Sequence, residues 1–298
     1  MSQNNEPHRG NRAWHQVLVR FPDYDTAQDT AVIHLAPILK IAEDRGLVAS
    51  WFFTRKKPCW RLRFGLDADD NSGFEFVHTR LDALVEGGHV SSLTKTIYEP
   101  EVHAFGGSDG MAVAHKLFHA DSRQVLTHFR TENAVIGRRE LSVLLCSALL
   151  RGAGQDWYEQ GDVWARVAQH QAPLVADAPP TGRQHRLQEQ LRRLMITDTS
   201  PDGPLFAATG SLAGLVGWFA AFADAGQALR VLATEGRLER GLRAVLTHQV
   251  LFHWNRLGLD PHTKTLLANS AAGAIFADGS PPAAPSRQDI DDQATKQE

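Results

Sequence analysis

The run Trp60-Arg61-Leu62-Arg63-Phe64 carries two guanidiniums two residues apart. In a strand that spacing puts both on one face. Paired arginines resist burial unless a carboxylate or phosphate meets them, so the pair reads either as a solvated face or as an anion site. Arg55-Lys56-Lys57 at the preceding turn adds positive charge beside it, in keeping with an anion-binding corner. A second cluster lies in Leu251-Phe252-His253-Trp254-Asn255-Arg256. His253 and Arg256 are three apart and can share a helix face, while His248 points elsewhere. A neighbouring cation keeps an imidazole neutral, which suits a general base near pH 7; the plainer reading is a surface His bonded to its neighbours.

Between these clusters, Tyr98-Glu99-Pro100-Glu101-Val102-His103-Ala104-Phe105-Gly106-Gly107 combines two acids, a His, an aromatic and a double glycine at the entrance to a helix. Glycines there let the backbone approach a ligand and leave N–H groups for an anion, or they simply make a tight turn. His115 and His119 are spaced four apart, as metal ligands can be, but no third ligand is placed by any motif. Asp121 reads as a cap or as a partner of Arg123. A phosphate-cradling glycine loop, a nucleophile elbow and a dinucleotide fingerprint are all missing from the sequence.

The elements that must position these residues change character once along the chain. His15–Phe21 alternates as a strand. Asp29–Arg45 shows a helical stripe closed by Gly46 and interrupted by Pro37, which should kink or break it. Leu47–Phe53 and Cys59–Phe64 form a hairpin, Phe76–Val85 a helix and Val90–Tyr98 a further strand. Strand, helix, two strands, helix, strand is the order of a ferredoxin-like α/β sandwich. From Asp109 onward the pattern is helical: Asp109–Arg130, Glu140–Leu150, Asp156–Gln169, Arg183–Met195, Leu212–Ala233 and Leu238–Leu257. A last helix opens at Asp260-Pro261, an N-cap followed by proline. The expected class is therefore α+β, with an α/β part over 13–106 and a helical part over 107–278. Residues 1–12 and 279–298 read as disordered tails, and Ala172–Gly182 as a proline-bearing connection.

The 298 residues can bury a large core, and a net charge of −3 excludes a global positive field for nucleic acid. The two cysteines, Cys59 and Cys146, form no disulfide framework or zinc ladder. No signal core or membrane-length apolar run is present, so the expected location is the cytoplasm, without membrane association.

Four segments in order carry a resemblance. They are Trp51-Phe52-Phe53-Thr54-Arg55 with Arg61-Leu62-Arg63, Tyr98-Glu99-Pro100-Glu101 with Phe105-Gly106-Gly107, Leu117-Phe118-His119-Ala120-Asp121-Ser122, and His253-Trp254-Asn255-Arg256. Together they resemble the C-terminal domain of lantibiotic dehydratases, especially its stand-alone form among thiopeptide-type bacteriocin biosynthesis proteins. The resemblance runs from about Trp14 to Ala277.

It implies a lyase that tailors a ribosomally made, leader-bearing precursor peptide. A separate, larger glutamyl-tRNA-dependent dehydratase subunit esterifies Ser or Thr with glutamate, and the small domain eliminates it, leaving dehydroalanine or dehydrobutyrine. Arg61 and Arg63 match the family's paired arginines, and His253 stands near its C-terminal histidine, although Leu251 takes that place in a shifted register. Arg55, His103, Gly106, Gly107 and Arg256 are the implied substrate-binding residues. Neither a metal nor an organic cofactor is required, nucleic acid is not bound directly, and a homodimer is among the expected assemblies.

One departure stands out: eliminating members carry Arg directly before the aromatic-Gly-Gly, where this chain has Ala104. The same architecture serves pyridine synthases, which join two dehydroalanines in an aza-[4+2] cycloaddition with loss of the leader peptide. A third expectation is a non-catalytic partner that captures a leader peptide on a strand edge.

Overall fold

Alternation along three strands creates a sheet with two unlike faces. In the computed structural model, which describes residues 12–67, 72–128, 136–171, 181–207, 210 and 212–277, β1 spans Arg12–Arg20, β2 Ser50–Lys56 and β3 Cys59–Asp67. Val17 and Val19 of β1, Trp51 and Phe53 of β2, and Trp60, Leu62 and Phe64 of β3 turn into the main core. They meet Leu35, Leu39, Val77 and Leu81 from the helices below. Burial of these side chains contributes roughly 1.5–3 kcal/mol each before entropy is counted. With β4 (Ser92–Thr96) the strands lie in the order β2-β3-β1-β4, all antiparallel. In chain order the elements run strand, helix, two strands, helix, strand, as the periodicities indicate.

The first helical stripe is not one helix. It runs as α1 (Ala27–Thr30), a wide turn of π type over Ala31–Leu35, and α2 (Ala36–Asp44), with Pro37 at the start of α2. Proline has no N–H to return to the preceding turn, so the extra residue of the π turn absorbs the missing bond. The chain continues through β2 and β3 into α3, which spans Ser72–Glu86. β4 is shorter than the sequence suggests, because Val90 and Tyr98 are buried beyond its ends while its own residues are largely exposed.

From Ser108 the described elements are helical: α4 (Ser108–His128), α5 (Arg138–Gly152), α6 (Trp157–His170), α7 (Thr181–Ile196), α8 (Val216–Thr234), α9 (Leu242–Leu257) and α10 (Pro261–Phe276). Asp156 caps α6 in a reciprocal capping box with Glu159, and Asp260 caps α10 through the Thr263 N–H at 2.9 Å. Helices α5 and α8 touch backbone to backbone. A Cβ at Gly226 would lie 2.1 Å from the Leu149 carbonyl oxygen, and one at Gly152 2.3 Å from that of Ala223.

The expected 238–241 portion of α9 lies outside the helix, which starts after Gly241. Arg12, the last residue of the expected N-terminal tail, opens β1, while residues 1–11, the expected C-terminal tail and most of the Ala172–Gly182 connection fall outside the described residues. The architecture is mixed α/β, a small antiparallel sheet followed by helices, and no described helix is long and apolar enough to cross a membrane.

Candidate functional site

The second sheet face is where chemistry gathers. Arg61 and Arg63 alternate with Trp60, Leu62 and Phe64, so burying those three in the core turns both guanidiniums to the other side. Across the ladder Arg63 stands between Gln16 and Phe52, and Arg61 between Leu18 and Thr54. Arg63 is only 3% exposed, and its partners are neutral: Nε donates to Gln16 Oε1 at 2.7 Å and Nη1 to Thr54 Oγ1 at 3.1 Å. Gln16 is itself held by Thr96 Oγ1 at 2.7 Å. The Arg63 guanidinium covers the Tyr98 ring at 4.7 Å and the Phe52 ring at 5.2 Å. Burial lowers its pKa to about 10; Tyr98 and Glu101 oppose the shift, and Arg61 and Arg256 add to it. A buried guanidinium without a carboxylate is a standing invitation to an anion.

Helix α4 lies over β2 and seats the aromatic floor. Phe52, Tyr98, Phe105, Met111, Ala114 and Phe118 form a cluster apart from the main core. Phe118 stacks on Phe252 of α9, with ring centres 5.2 Å apart and planes within 6°. His115, one turn earlier on α4, meets the Tyr98 hydroxyl through Nε2 at 2.9 Å. His119 does not join it in a metal pair. Its Nδ1 faces the Trp51 carbonyl at 2.9 Å and its Nε2 faces Glu43 at 3.3 Å.

One further turn along α4 is Asp121, fully buried. Its Oδ1 accepts from Trp218 Nε1 of α8 at 2.9 Å, and its Oδ2 from His253 Nδ1 at 3.0 Å and from Arg256 Nε at 2.6 Å, both of α9. Burial alone would raise this carboxyl's pKa, but the His253 and Arg256 interactions outweigh it and hold it below the usual carboxylate range. An ionised carboxylate only accepts, so His253 places its proton on Nδ1 and, when neutral, keeps a lone pair on Nε2. That Nε2 and both terminal nitrogens of Arg256 are buried with no protein partner among the described residues. Arg256 also covers Phe118 at 4.4 Å. Asp121 therefore anchors the Arg256 guanidinium, which is near enough to Arg63 to disfavour its charge, and fixes the orientation of the His253 imidazole.

The structure thus keeps Arg61 and Arg63 on one sheet face, sets Arg256 within electrostatic reach of Arg63, and links His253 to Arg256 through Asp121. It separates Arg55, whose side chain turns to the opposite sheet face, covers Trp60 at 4.5 Å and donates to Gln28 Oε1 at 2.6 Å. Gly106 and Gly107 serve packing. Their φ values are 81° and 96°, and a Cβ at Gly107 would lie 2.7 Å from the Glu239 carboxyl carbon. His103 is exposed, and at Ala104 the carbonyl accepts from Arg240 Nη1 at 3.3 Å. Leu251 is half-buried beside the main core. Asp121 escaped the sequence reading as a site residue, yet a signal was there: it continues the apolar stripe of Met111, Ala114, Leu117, Phe118 and Val125, where a carboxylate must find a buried cation.

Comparison with solved structures gives the same fold. The tRNA-dependent lantibiotic dehydratase MibB from Microbispora sp. 107891 superposes with a TM-score of 0.62 at 19% identity, over 93% of this chain and 29% of that one. This chain thus spans under a third of that dehydratase. TsrL matches with a TM-score of 0.59 at 18% identity, covering 91% of this chain and 100% of its own. TbtD, the pyridine synthase from thiomuracin biosynthesis, gives 0.62 at 13% identity, covering 89% and 98%. Among curated proteins, none matches the sequence. Residues 14–275 match the family model for the C-terminal domain of lantibiotic biosynthesis dehydratases, and the chain belongs to that family.

Proposed function

We propose that the protein modifies a ribosomally synthesised precursor peptide by eliminating glutamate from glutamylated Ser or Thr, giving dehydroalanine or dehydrobutyrine. The observation that carries this reading is the face of Arg61 and Arg63, where Arg63 bonds only the neutral Gln16 and Thr54 among the described residues, Glu101 acts on it without an ion pair, and Arg256 nearby is paired with Asp121. In the elimination a base takes the α-proton, the C–H electrons form the Cα=Cβ bond, and the Cβ–O bond breaks to release glutamate as a carboxylate. Arg61 and Arg63 stabilise the enolate oxygen and the departing carboxylate, charges that grow during the reaction. His253 Nε2, which has no partner among the described residues, is the base, and Asp121 holds its tautomer.

The βαββαβ order and the β2-β3-β1-β4 sheet support a ferredoxin-like reading of the 13–106 part, with 107–278 as the helical part. The substrate carries a leader, and a larger glutamyl-tRNA-dependent subunit supplies the ester. The outer edge of β4, at the end of the sheet, suits capture of an extended leader segment.

A second reading, aza-[4+2] cycloaddition of two dehydroalanines, is favoured by one observation. His253 has no solvent exposure, and Ala104 supplies no cation at the position where the family's eliminating members carry Arg. Mass spectrometry separates the two. A precursor with one glutamyl-serine ester should lose one glutamic acid when incubated with the protein, and Arg61→Ala and Arg63→Ala should abolish the loss. If the ester survives while a bis-dehydroalanine peptide releases its leader, elimination is wrong and cycloaddition stands.

A further inference from the structure

We infer that the Tyr98 hydroxyl is a further catalytic donor on the arginine face, where His115 aims it at the substrate oxygen that turns negative as the α-proton leaves. Its role rests on the elimination reading of that face.

The placement follows from the strand period. Trp14 and Gln16 of β1, Phe52 and Thr54 of β2, and Arg61 and Arg63 of β3 all lie on the side of the sheet away from the main core. Helix α4 lies over β2 and sets His115 among the aromatics of this side. Its ring centre is 4.4 Å from that of Trp14, 5.7 Å from Phe52 and 6.4 Å from Phe118. Tyr98, just past β4, closes the group. Its ring meets the Arg63 guanidinium at 4.7 Å, and its hydroxyl oxygen is 2.9 Å from His115 Nε2.

A phenyl ring would pack in either place without taking a polar atom out of water. Tyr98 and His115 bring one each and join them. A phenol oxygen both donates and accepts. With the imidazole proton on Nε2, His115 donates to the Tyr98 oxygen, and the Tyr98 O–H is left to point elsewhere. Arg63 engages Gln16 through Nε and Thr54 through Nη1, while its Nη2 makes no hydrogen bond among the described residues. The ring contact thus sets a neutral donor beside an open cationic one. Burial raises the Tyr98 pKa, Arg63 opposes the rise and Glu101 adds to it, so the hydroxyl holds its proton at neutral pH and above.

Loss of the α-proton pushes the carbonyl π pair onto the oxygen of the adjacent amide, giving an enolate. Tyr98 and Arg63 hydrogen-bond that oxygen without transferring a proton. The charge leaves it again as Cα=Cβ forms and the Cβ–O bond releases glutamate.

The full chain is assayed on a precursor peptide bearing one glutamyl-serine ester, with loss of glutamic acid followed by mass spectrometry over a range of peptide concentrations. Tyr98→Phe removes only the oxygen and should lower kcat about a hundredfold, with KM within about twofold of the parent. His115→Phe keeps a ring in the box but loses the donor, and should lower kcat as far; combining the two should lower it no further. His115→Gln loses the ring but offers an N–H near the place of Nε2, and should keep about a tenth or more of the parental kcat. A packing role alone gives the reverse order, with His115→Phe the more active. Either comparison decides by itself if a variant of the other does not fold. The assignment is overturned if Tyr98→Phe turns over like the parent, or if His115→Phe outperforms His115→Gln. A parent that leaves the ester intact overturns the elimination reading and this assignment together, whereas an active parent matched by Tyr98→Phe overturns the assignment alone.

Discussion

Replacing Asp121 with Asn probes whether a buried carboxylate anchors the charges of the arginine face. The perturbation is nearly isosteric, yet it changes three contacts at once. Asp121 accepts from Trp218 at 2.9 Å, His253 at 3.0 Å and Arg256 at 2.6 Å, with no solvent at any of the four side chains. The amide keeps one acceptor, turns donor hydrogens toward other donors and leaves Arg256 a buried cation with no counter-charge. Breaking one partner of a buried ion pair costs about 3–5 kcal/mol. For a chain of this size that lowers the melting temperature by roughly 6–10 °C. Urea unfolding followed by circular dichroism measures the loss directly. Adding Arg256→Met should restore most of it, because removing both charges at similar volume is close to neutral.

Acidification adds an independent check with a fixed sign. The folded carboxyl is depressed below its unfolded value of about 3.9, so its contribution is complete above that value and fades as pH falls through the folded pKa. The gap between wild type and Asp121→Asn should thus be constant near neutrality and shrink only in strong acid. A loss under about 1 kcal/mol, or a double variant no steadier than the single one, would refute the reasoning.

Three other outcomes follow from the geometry. Gly226→Ala should destabilise by about 2 kcal/mol or more in urea, because its Cβ meets the Leu149 carbonyl at 2.1 Å and neither helix backbone can yield without parting α5 from α8. In the native protein a thiol reagent should titrate Cys59 alone, with Cys146 appearing only after denaturation, since burial pushes that thiol far up and seals it. His253→Gln should lower turnover on a glutamylated peptide by about a hundredfold or more with little change in KM, whereas Arg63→Lys should raise KM, because a point charge cannot bridge two acceptors as a guanidinium does.

Much of the sheet was legible because β1 and β3 are asymmetric, apolar on one side and polar on the other. The Arg61–Arg63 face followed from that alternation alone. β2 broke the rule: Trp51, Phe52, Phe53 and Thr54 are all buried, since α4 covers the face that β3 leaves open. With both faces apolar the period carries no direction, and so spacing alone sets Arg55 beside Arg61 and Arg63 although it points the other way. The Asp121 network was hidden for a different reason. Its partners lie 97, 132 and 135 residues away, and local spacing cannot announce a contact of that range. The glycine pair before α4 suits a ligand approach or a tight turn by sequence alone, and the close approach of Glu239, Val245 and Leu238 accounts for it by packing.

Those long sequence separations also bear on the order in which the molecule assembles. Closing loops of that length is entropically costly, and a carboxylate cannot shed its water until Trp218, His253 and Arg256 all stand ready to replace it. Helices α4, α8 and α9 must therefore dock before the charges are sealed, which places the triad among the last contacts made and the first released. Its stabilisation then falls mainly on the unfolding step: the network acts as a latch on an already assembled core, setting how long the native state persists rather than how fast it is found.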